Sequence, residues 1–471
     1  MAQKWWTLTA VVAGVFMLVL DITIVNVALP AIGRDFHAPL SGLQWVIDAY
    51  ALALAAGLLT GGSLADLWGR RRLYAAGTAV FTAGSLLCGL ATGPLFLSLA
   101  RAGQGIGGAV VWATSLALLS DAFQGRERGL AFGIYGGILG IAVAVGPVLG
   151  GFLTSGLGWR WIFWVNGPIG VAVVAATLLK LRESRNPAAV RPDWLGFATF
   201  SSGLALLIYG LISAGDGWSH PEAYGSLIGA GVLLAAFLAL EVTQRHPMLD
   251  LALFRKPTFT GGLVAAVGLN GSLYTLITYL ALYLQQHLGF SPAQTGIRLL
   301  TLTGAMFVSS TLAGRLSSAV PVRLMISAGF VLIGVGIVLM TGVSDTSSWT
   351  HLLPGMVVSG LGSGMVTVPL ASTAVGVVAP AQAGTASGIN ATARQVGLAT
   401  GIAALGTVFA ARTASSGFTD GLNEILWIGA AVALVSAVLS AVLIRGKDFV
   451  GPPPGAPAAD PGTAAAATGA H

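Results

Sequence analysis

The chain has 471 residues, of which 55% are hydrophobic and only 8% are charged. Soluble domains carry about 25% charged residues, so this composition excludes a soluble protein and predicts a membrane protein with many spans. The net charge of +6 does not indicate a nucleic-acid-binding protein, because the basic residues are spread over short connections and form no single patch. The single cysteine, Cys88, allows no intrachain disulfide, and no metal site is indicated.

Hydrophobic runs of the length needed to cross a bilayer core recur along the whole chain. The first run begins close to residue 1 and is too long for the core of a signal peptide, so we expect it to be a retained span. The pattern predicts fourteen spans, at residues 6–31, 43–63, 74–92, 95–120, 129–153, 163–180, 194–214, 224–242, 258–283, 295–315, 323–342, 353–378, 384–410 and 425–445.

The distribution of basic residues predicts the orientation of these spans. With the N-terminus in the cytoplasm, 17 of the 23 Lys and Arg residues fall in cytoplasmic connections and only Arg34, Arg160 and Arg412 fall in outer ones. Cytoplasmic connections collect Lys and Arg, so both termini are expected in the cytoplasm and the number of spans is expected to be even. The other three basic residues lie inside predicted spans and require an explanation: Arg101, Arg298 and Arg394.

The connection between the second and third spans carries a distinctive pattern at residues 62–74, Gly-Ser-Leu-Ala-Asp-Leu-Trp-Gly-Arg-Arg-Arg-Leu-Tyr. It resembles the signature of the major facilitator superfamily, with a departure at Leu67, where that family usually has a basic residue. The resemblance implies a cytoplasmic gate in which Asp66 and Arg70 pair with each other and with the start of span 11, and Asp121 is an additional expected partner. The gate residues are therefore Gly62, Asp66, Gly69, Arg70, Arg71 and Asp121.

The same resemblance implies an all-α integral membrane fold of two six-helix bundles, with a substrate site between them near the midplane. Fourteen spans then require two inserted helices. The domains would be an N-terminal bundle at 1–180, an inserted pair with its linkers at 181–257 and a C-terminal bundle at 258–446. A tail at 447–471, rich in Pro, Ala and Gly, would be disordered.

Charged groups inside a membrane are expensive, so each is a candidate functional residue. The stretch at 20–30, Leu-Asp-Ile-Thr-Ile-Val-Asn-Val-Ala-Leu-Pro, resembles the first-span motif of drug:proton antiporters. At 1.5 Å per residue, Asp21, Asp48 and Arg101 lie about 22, 22 and 28 Å from the cytoplasmic ends of their spans, close enough in depth to form one cluster. We expect Asp21, with Asp48, to take and release a coupling proton and Arg101 to modulate the pKa of Asp21. The alternatives are a permanent salt bridge that only fixes packing and, for Asp48, a position near the outer surface.

Span 5 contains the order Gly146-Pro147-Val-Leu-Gly150-Gly151, which resembles a motif that separates exporters from other members of the superfamily. Small residues also let membrane helices approach closely, which is the alternative interpretation. The stretch at 158–168, Gly-Trp-Arg-Trp-Ile-Phe-Trp-Val-Asn-Gly-Pro, resembles a sequence typical of fourteen-span drug:proton antiporters. Its aromatic residues would equally suit a membrane interface.

The second half has no carboxylate well inside any predicted span, so we expect neutral, zwitterionic or singly charged substrates. In span 9, polar and aromatic residues recur every four positions and would form one stripe facing a cavity, although tyrosines packing between helices would give the same pattern. Arg394 and Gln395 are either cavity or gate residues. The predicted substrate-cavity residues are Asn26, Gln104, Asn270, Tyr274 and Thr278.

These patterns predict a proton-coupled antiporter that exports small amphipathic or apolar compounds across a bacterial plasma membrane. No cofactor is expected, and the partners would be the substrate, protons and lipid; we expect a monomer that binds no nucleic acid. No phosphate-binding loop or nucleophile motif indicates an enzyme. The alternatives are a dedicated transporter of one endogenous metabolite, such as an antibiotic, siderophore or amino acid, and a non-transporting membrane sensor.

Overall fold

The computed structural model describes residues 3–123, 125–184, 193–214, 221–244, 249, 251–316, 320–378 and 383–449. Within these ranges the chain is α-helical and has no β-strands. Residues 185–192, 245–248 and 250 of the predicted linkers and most of the predicted tail lie outside the described residues. Asp448, at the start of that tail, accepts hydrogen bonds from the backbone N–H and the hydroxyl of Thr258.

Fourteen long helices are found in the described part of the chain, and they confirm the all-α membrane fold and the predicted number of spans. They are α1 (Gln3–Phe36), α2 (Leu40–Trp68), α3 (Arg70–Gly89), α4 (Pro94–Ala122), α5 (Gly125–Gly156), α6 (Trp161–Lys180, interrupted at Val165), α7 (Trp194–Ala214), α8 (Pro221–Thr243), α9 (Pro257–His287), α10 (Pro292–Leu316), α11 (Val322–Leu339), α12 (Leu353–Val375), α13 (Ala383–Ser416) and α14 (Phe418–Leu443). Thirteen are long and apolar enough to cross a membrane, and the other, α3, has 20 residues.

Helices α1 to α6 pack against one another as an N-terminal group, with α2 and α3 both packed on α4 and with α1 packed on α5. Small residues set the short distances between these helices. A Cβ atom on Gly105 of α4 would lie 2.5 Å from the carbonyl oxygen of Tyr50 and 3.0 Å from Cβ of Ala53, both on α2. Only glycine therefore allows α2 and α4 to approach this closely.

Helices α9 to α14 form a second group with related packing, in which α12 contacts both α10 and α11 and α14 contacts α11. Its core is one large cluster of buried apolar side chains that includes Phe330, Ile333 and Leu426. The inserted helices α7 and α8 pack on each other. Helix α7 also contacts α2 through the rings of Trp45 and Tyr209 and contacts α13 through a hydrogen bond from Thr407 to the carbonyl of Leu211.

Hydrogen bonds join the two groups of helices on the outer side of the protein. The amide of Gln285 donates to the carbonyl oxygen of Val27 at 2.7 Å, and the amide of Gln44 donates to that of Ile402 at 3.0 Å. The backbone N–H of Ala293 donates to the hydroxyl of Ser155 at 3.0 Å. These residues lie in the outer halves of their helices in the predicted topology, so the outer side is closed.

Helix α9 departs from a regular α-helix at two points, the π-helical turns Asn270–Tyr274 and Tyr283–His287. A π turn contains an extra residue and shifts the face on which the following side chains lie, and such turns are frequent at functional sites. The two π turns therefore interrupt the regular α-helical repeat of this span.

Candidate functional site

Asp21 and Arg101 form an ion pair in the interior of the N-terminal bundle. The Arg101 Nη1 atom lies 2.5 Å from Asp21 Oδ2, and both side chains are at most 1% exposed. They come from α1 and α4, which the close packing of the bundle brings together. The two charges compensate each other in a place that water does not reach.

The second oxygen of Asp21 is held by two amides. Gln104 Nε2 donates to Asp21 Oδ1 at 2.8 Å, and Asn166 Nδ2 donates to the same atom at 3.1 Å. Asn166 also donates to the hydroxyl of Ser85, which in turn donates to the carbonyl of Phe163. The sequence analysis missed Asn166 as a site residue, although it lies in the tryptophan-rich stretch that resembles the antiporter sequence.

Arg101 has further partners besides Asp21. Its Nη1 donates to Gln104 Oε1 at 2.7 Å, its Nε donates to the carbonyl of Val46 at 3.2 Å, and its guanidinium lies 4.0 Å from the centre of the Tyr50 ring. Gln104, predicted as a cavity residue, is fully buried inside this network and bridges the two charged groups. We call Asp21, Arg101, Gln104 and Asn166 the Asp21 network.

Asp48 does not join the Asp21 network, in contrast to the predicted single cluster. Its side chain is fully buried, so it does not lie at the outer surface. Neither carboxylate oxygen has a hydrogen-bond partner among the described residues. Gln44, one helical turn before Asp48, contacts α13, and the hydroxyl of Tyr279 on α9 lies within electrostatic range of Asp48. Asp48 is therefore placed where α2 meets the C-terminal bundle.

The other predicted cavity residues lie between the two bundles but do not form one group. The hydroxyl of Thr278 donates to Asn26 Oδ1 at 3.2 Å across the bundles. Tyr274 directs its hydroxyl to the sulfur of Met306, and Asn270 donates to the carbonyl of Ala266 in its own helix.

The motif Gly146, Pro147, Gly150 and Gly151 lies on the part of α5 that packs against both bundles. A Cβ atom on Gly150 would lie 2.8 Å from the carbonyl oxygen of Ile24 on α1, and one on Gly151 would lie 2.8 Å from Cα of Ala293 on α10. A Cβ on Gly146 would collide with the hydroxyl of Thr23. The motif thus allows close contact within the N-terminal bundle and across to the C-terminal one.

The predicted gate residues lie at the cytoplasmic turn between α2 and α3. Arg70 Nη1 lies 2.6 Å from Asp121 Oδ2 on α4. Arg71 donates from its side chain to the carbonyl of Leu178 on α6. Gly62 and Asp66 belong to α2, but their side chains lie outside the described residues, and so does the predicted pairing of Asp66 with Arg70.

Glu183, just after α6, contacts the turn that carries the predicted gate residues and was not itself predicted from the sequence. Its carboxylate accepts hydrogen bonds from the backbone N–H groups of Arg71 and Arg72, at the exposed start of α3. A carboxylate at a helix N-terminus is favourable. Gly69 has a φ of +102°, and a Cβ there would lie 2.5 Å from Glu183, so glycine is required at this turn. The signal was available in the sequence, since Glu183 is the acidic residue in a basic linker.

Two of the three arginines inside predicted spans have a carboxylate or aromatic rings as partners of their charge. Arg101 is paired with Asp21, and Arg298 lies 3.7 Å from the ring centre of Phe290 and 5.0 Å from that of Trp349. The third, Arg394, interacts electrostatically with Tyr135 and Tyr274. Among the described residues, no group of three or more His, Cys, Asp or Glu side chains is placed to hold a metal ion.

Comparison with known proteins agrees with this architecture. The family model described as the Major Facilitator Superfamily matches residues 11–402 and 263–468. The multidrug resistance protein Stp of Mycobacterium tuberculosis is 38% identical over 407 residues, covering 86% of this chain and 76% of that protein. The puromycin resistance protein pur8 of Streptomyces alboniger is 37% identical over 94% of this chain and 92% of its own length.

A solved structure gives the same fold. The crystal structure of a bacterial homologue of the human lysosomal transporter Spinster, in an inward-facing and occupied conformation, has a TM-score of 0.69 with 18% identity and covers 96% of this chain and 99% of that one. The relatives and the fold are those of membrane transporters and not of enzymes. The chain, a multi-span membrane protein, therefore belongs to the major facilitator superfamily.

Proposed function

We propose that this protein is a proton-coupled antiporter that exports small amphipathic or apolar compounds, including drugs or antibiotics, by alternating access. Transport would alternate the exposure of a central site between the two membrane faces. An inward-moving proton supplies about 2.3 kcal/mol per 100 mV of membrane potential, and the pH gradient adds to this. The observation that carries the proposal is the presence of two buried carboxyl groups, Asp21 and Asp48, in different surroundings.

The two groups suit different parts of a coupling cycle. Asp21 has a guanidinium and two amides as partners, so its carboxylate is stabilised in the outward-closed state. Asp48 has no donor among the described residues, and a buried charge without a partner costs several kcal/mol. Binding of a proton removes that charge and its cost. The burial of Asp48 and its protonation are therefore energetically linked.

The position of Asp48 links this protonation to the conformational change. Asp48 lies where α2 packs on α13, one helical turn from the hydrogen bond between Gln44 and the carbonyl of Ile402. Opening the outer side would separate these helices and expose Asp48 to outer water. A proton bound to Asp48 from outside would then favour closure of the outer side, because burying a neutral carboxyl group costs less free energy than burying a charged one.

The relatives support the substrate class. Two of them are named as resistance proteins, for multiple drugs and for puromycin. The residues between the bundles, which include Asn26, Tyr274 and Thr278, combine apolar and a few polar groups, which suits amphipathic compounds of varied shape.

Efflux and proton movement measured together test this proposal. Cells that express the wild type or Asp21→Asn, Asp48→Asn or Asp35→Asn would be loaded with ethidium, energised, and followed by fluorescence with and without a protonophore. Asp35 is the matched control, because it lies on α1 like Asp21 but is half exposed and pairs with Arg160 at the outer end. We expect efflux to be abolished by Asp21→Asn and by the protonophore, strongly reduced by Asp48→Asn and preserved in Asp35→Asn.

Proton coupling requires a second readout, because loss of efflux alone could reflect misfolding. In everted vesicles with an acidic interior, ethidium added outside should release protons from the lumen for the wild type and for Asp35→Asn. Normal efflux by Asp21→Asn and Asp48→Asn would overturn the assignment of coupling to these carboxyls. Efflux by the wild type that is insensitive to the protonophore would overturn proton coupling itself.

A dedicated exporter of one metabolite is the second candidate function. A relative 35% identical to this chain over 422 residues, from Streptomyces coelicolor, is named a probable actinorhodin transporter. A panel of chemically unrelated compounds separates the two functions, because a dedicated exporter would protect cells against one class only.

A further inference from the structure

Arg394 lies near the middle of the membrane. In the described part of the chain, it is the only one of the three in-span arginines whose charge has neither a carboxylate nor the face of an aromatic ring as partner. It is 11 residues from the cytoplasmic end of α13, which corresponds to about 17 Å of helix. An arginine cannot lose its proton in a protein, so this charge persists at every physiological pH. An ionisable residue at this depth is expensive and is a functional candidate by default.

The hydrogen bonds of Arg394 leave its outer nitrogens available. Its Nε donates to Asn390 Oδ1 at 3.2 Å, and this is its hydrogen bond within the described residues. The side chain is partly exposed although it lies deep in the protein, as expected for a residue that lines an internal space. Ala391, three residues before Arg394, packs against the buried cluster that contains Tyr135 of α5, and Ala393 packs against the buried cluster of the C-terminal helices, as Tyr274 of α9 does. Arg394 is thus located between the bundles.

Two further hydrogen-bond donors near Arg394 lack acceptors. The hydroxyl of Tyr135 and the Nδ2 atom of Asn390 are buried and have no hydrogen-bond partner among the described residues, and both side chains are more than nine-tenths buried. Asn390 and Arg394 are four residues apart and share a helix face. The two outer nitrogens of the Arg394 guanidinium, the Tyr135 hydroxyl and the Asn390 amide N–H group have no acceptor among the described residues. Together they fit a ligand that supplies negatively charged oxygens.

We propose that Arg394, with Tyr135 and Asn390, binds the anionic group of the substrate, a carboxylate or phenolate attached to an amphipathic organic molecule. This inference rests on the proposed export function and adds to its substrates a class of compounds that carry a negatively charged end, including zwitterions. Because Tyr135 and Arg394 lie on different bundles, a substrate anion held by both connects the two halves of the protein. The apolar part of the substrate would lie against the partly buried aromatic and aliphatic side chains nearby, such as Tyr274.

Binding to purified protein in phosphatidylcholine nanodiscs tests this site independently of proton coupling. The probes are coumarin-3-carboxylate and its uncharged ethyl ester, measured by equilibrium dialysis without a gradient. A charge-assisted hydrogen bond is worth about 1.5–3 kcal/mol, so we expect the wild type to bind the acid at least about tenfold more tightly than the ester. Arg394→Gln should remove this preference and leave binding of the ester unchanged, while Arg394→Lys should retain part of it.

Arg412→Gln is the matched control, because Arg412 lies on the same helix but is half exposed at the outer end. It should bind both probes as the wild type does. A folded Arg394→Gln variant, monodisperse by size exclusion, that keeps the preference for the acid would overturn the proposal. So would equal binding of both probes by the wild type, or an equal loss of both in Arg394→Gln, which would indicate a packing role.

The failure of this proposal is distinguishable from the failure of the export function. If the preference for the acid is found but energised cells show no efflux, the anion site stands and the transport proposal falls. If efflux of ethidium occurs and neither probe shows an Arg394-dependent preference, the anion site falls and export stands.

Discussion

Replacing Asp21 by asparagine should destabilise the protein as well as abolish proton coupling. Asparagine can keep the oxygen that accepts from Gln104 and Asn166, at 2.8 and 3.1 Å. Its amide nitrogen would then face Arg101 Nη1 in place of the oxygen at 2.5 Å, so two donors would oppose each other. The guanidinium would lose its counter-charge while remaining about 1% exposed.

The magnitude follows from what remains around Arg101. Removing one partner of a buried ion pair costs about 3–5 kcal/mol. Arg101 retains the Val46 carbonyl, Gln104 Oε1 and the Tyr50 ring as partners. We therefore expect Asp21→Asn to lower the free energy of unfolding by about 3 kcal/mol, the lower end of this range. Arg101→Gln should cost less, about 1–2 kcal/mol, because Asp21 keeps its amide donors and a carboxyl left behind can become neutral by binding a proton.

Thermal unfolding in detergent, followed by fluorescence-detected size exclusion, checks this ranking. The midpoints should decrease from the wild type to Arg101→Gln and then to Asp21→Asn. The midpoint of the double variant, which removes both charges, should be well above that of Asp21→Asn, because replacing both members of a buried ion pair often changes stability little. A wild-type midpoint for Asp21→Asn, or a double variant less stable than Asp21→Asn, would refute the reasoning.

Three further predictions concern packing, the gate and accessibility. Gly105→Ala should lower the midpoint of thermal unfolding, because its Cβ would lie 2.5 Å from a backbone oxygen of α2, whereas Gly103→Ala, with open space around it, should not. Arg70→Gln should change the transport rate measured by ethidium efflux because it removes a 2.6 Å ion pair to α4, while Arg72→Gln, whose side chain is 71% exposed, should leave the rate unchanged. Cys88 should react with maleimide only after denaturation, since its side chain is fully buried; rapid labelling of native protein would contradict this packing.

The helical architecture was predictable because span length and the positive-inside rule act locally along the chain. Each of the fourteen predicted spans corresponds to a long helix. The π turns of α9 were not predictable from the repeat at Asn270, Tyr274 and Thr278. The π turn at Asn270–Tyr274 inserts a residue into the helical repeat, and periodicity analysis assumes a regular helix.

Depth along a helix could be estimated from the sequence, but direction around it could not. Asp21, Asp48 and Arg101 were expected at similar depths, yet Asp48 faces the C-terminal bundle and has no contact with the other two in the hydrogen-bond network. The two amides on Asp21 come from α4 and α6, and the contribution of Asn166 depends on a tertiary approach that spacing does not encode. Partners of this kind require the assembled bundle.

The inserted helix α7 makes the protein asymmetric about the boundary between its halves. It touches α2 of one half through Trp45 and Tyr209, and α13 of the other through Thr407 and Leu211. No rigid rotation that separates α2 from α13 can preserve both contacts. In the proposed transport cycle α7 would therefore travel with one half and slide along the other, and the free energy of that sliding would become part of the barrier between the two conformations.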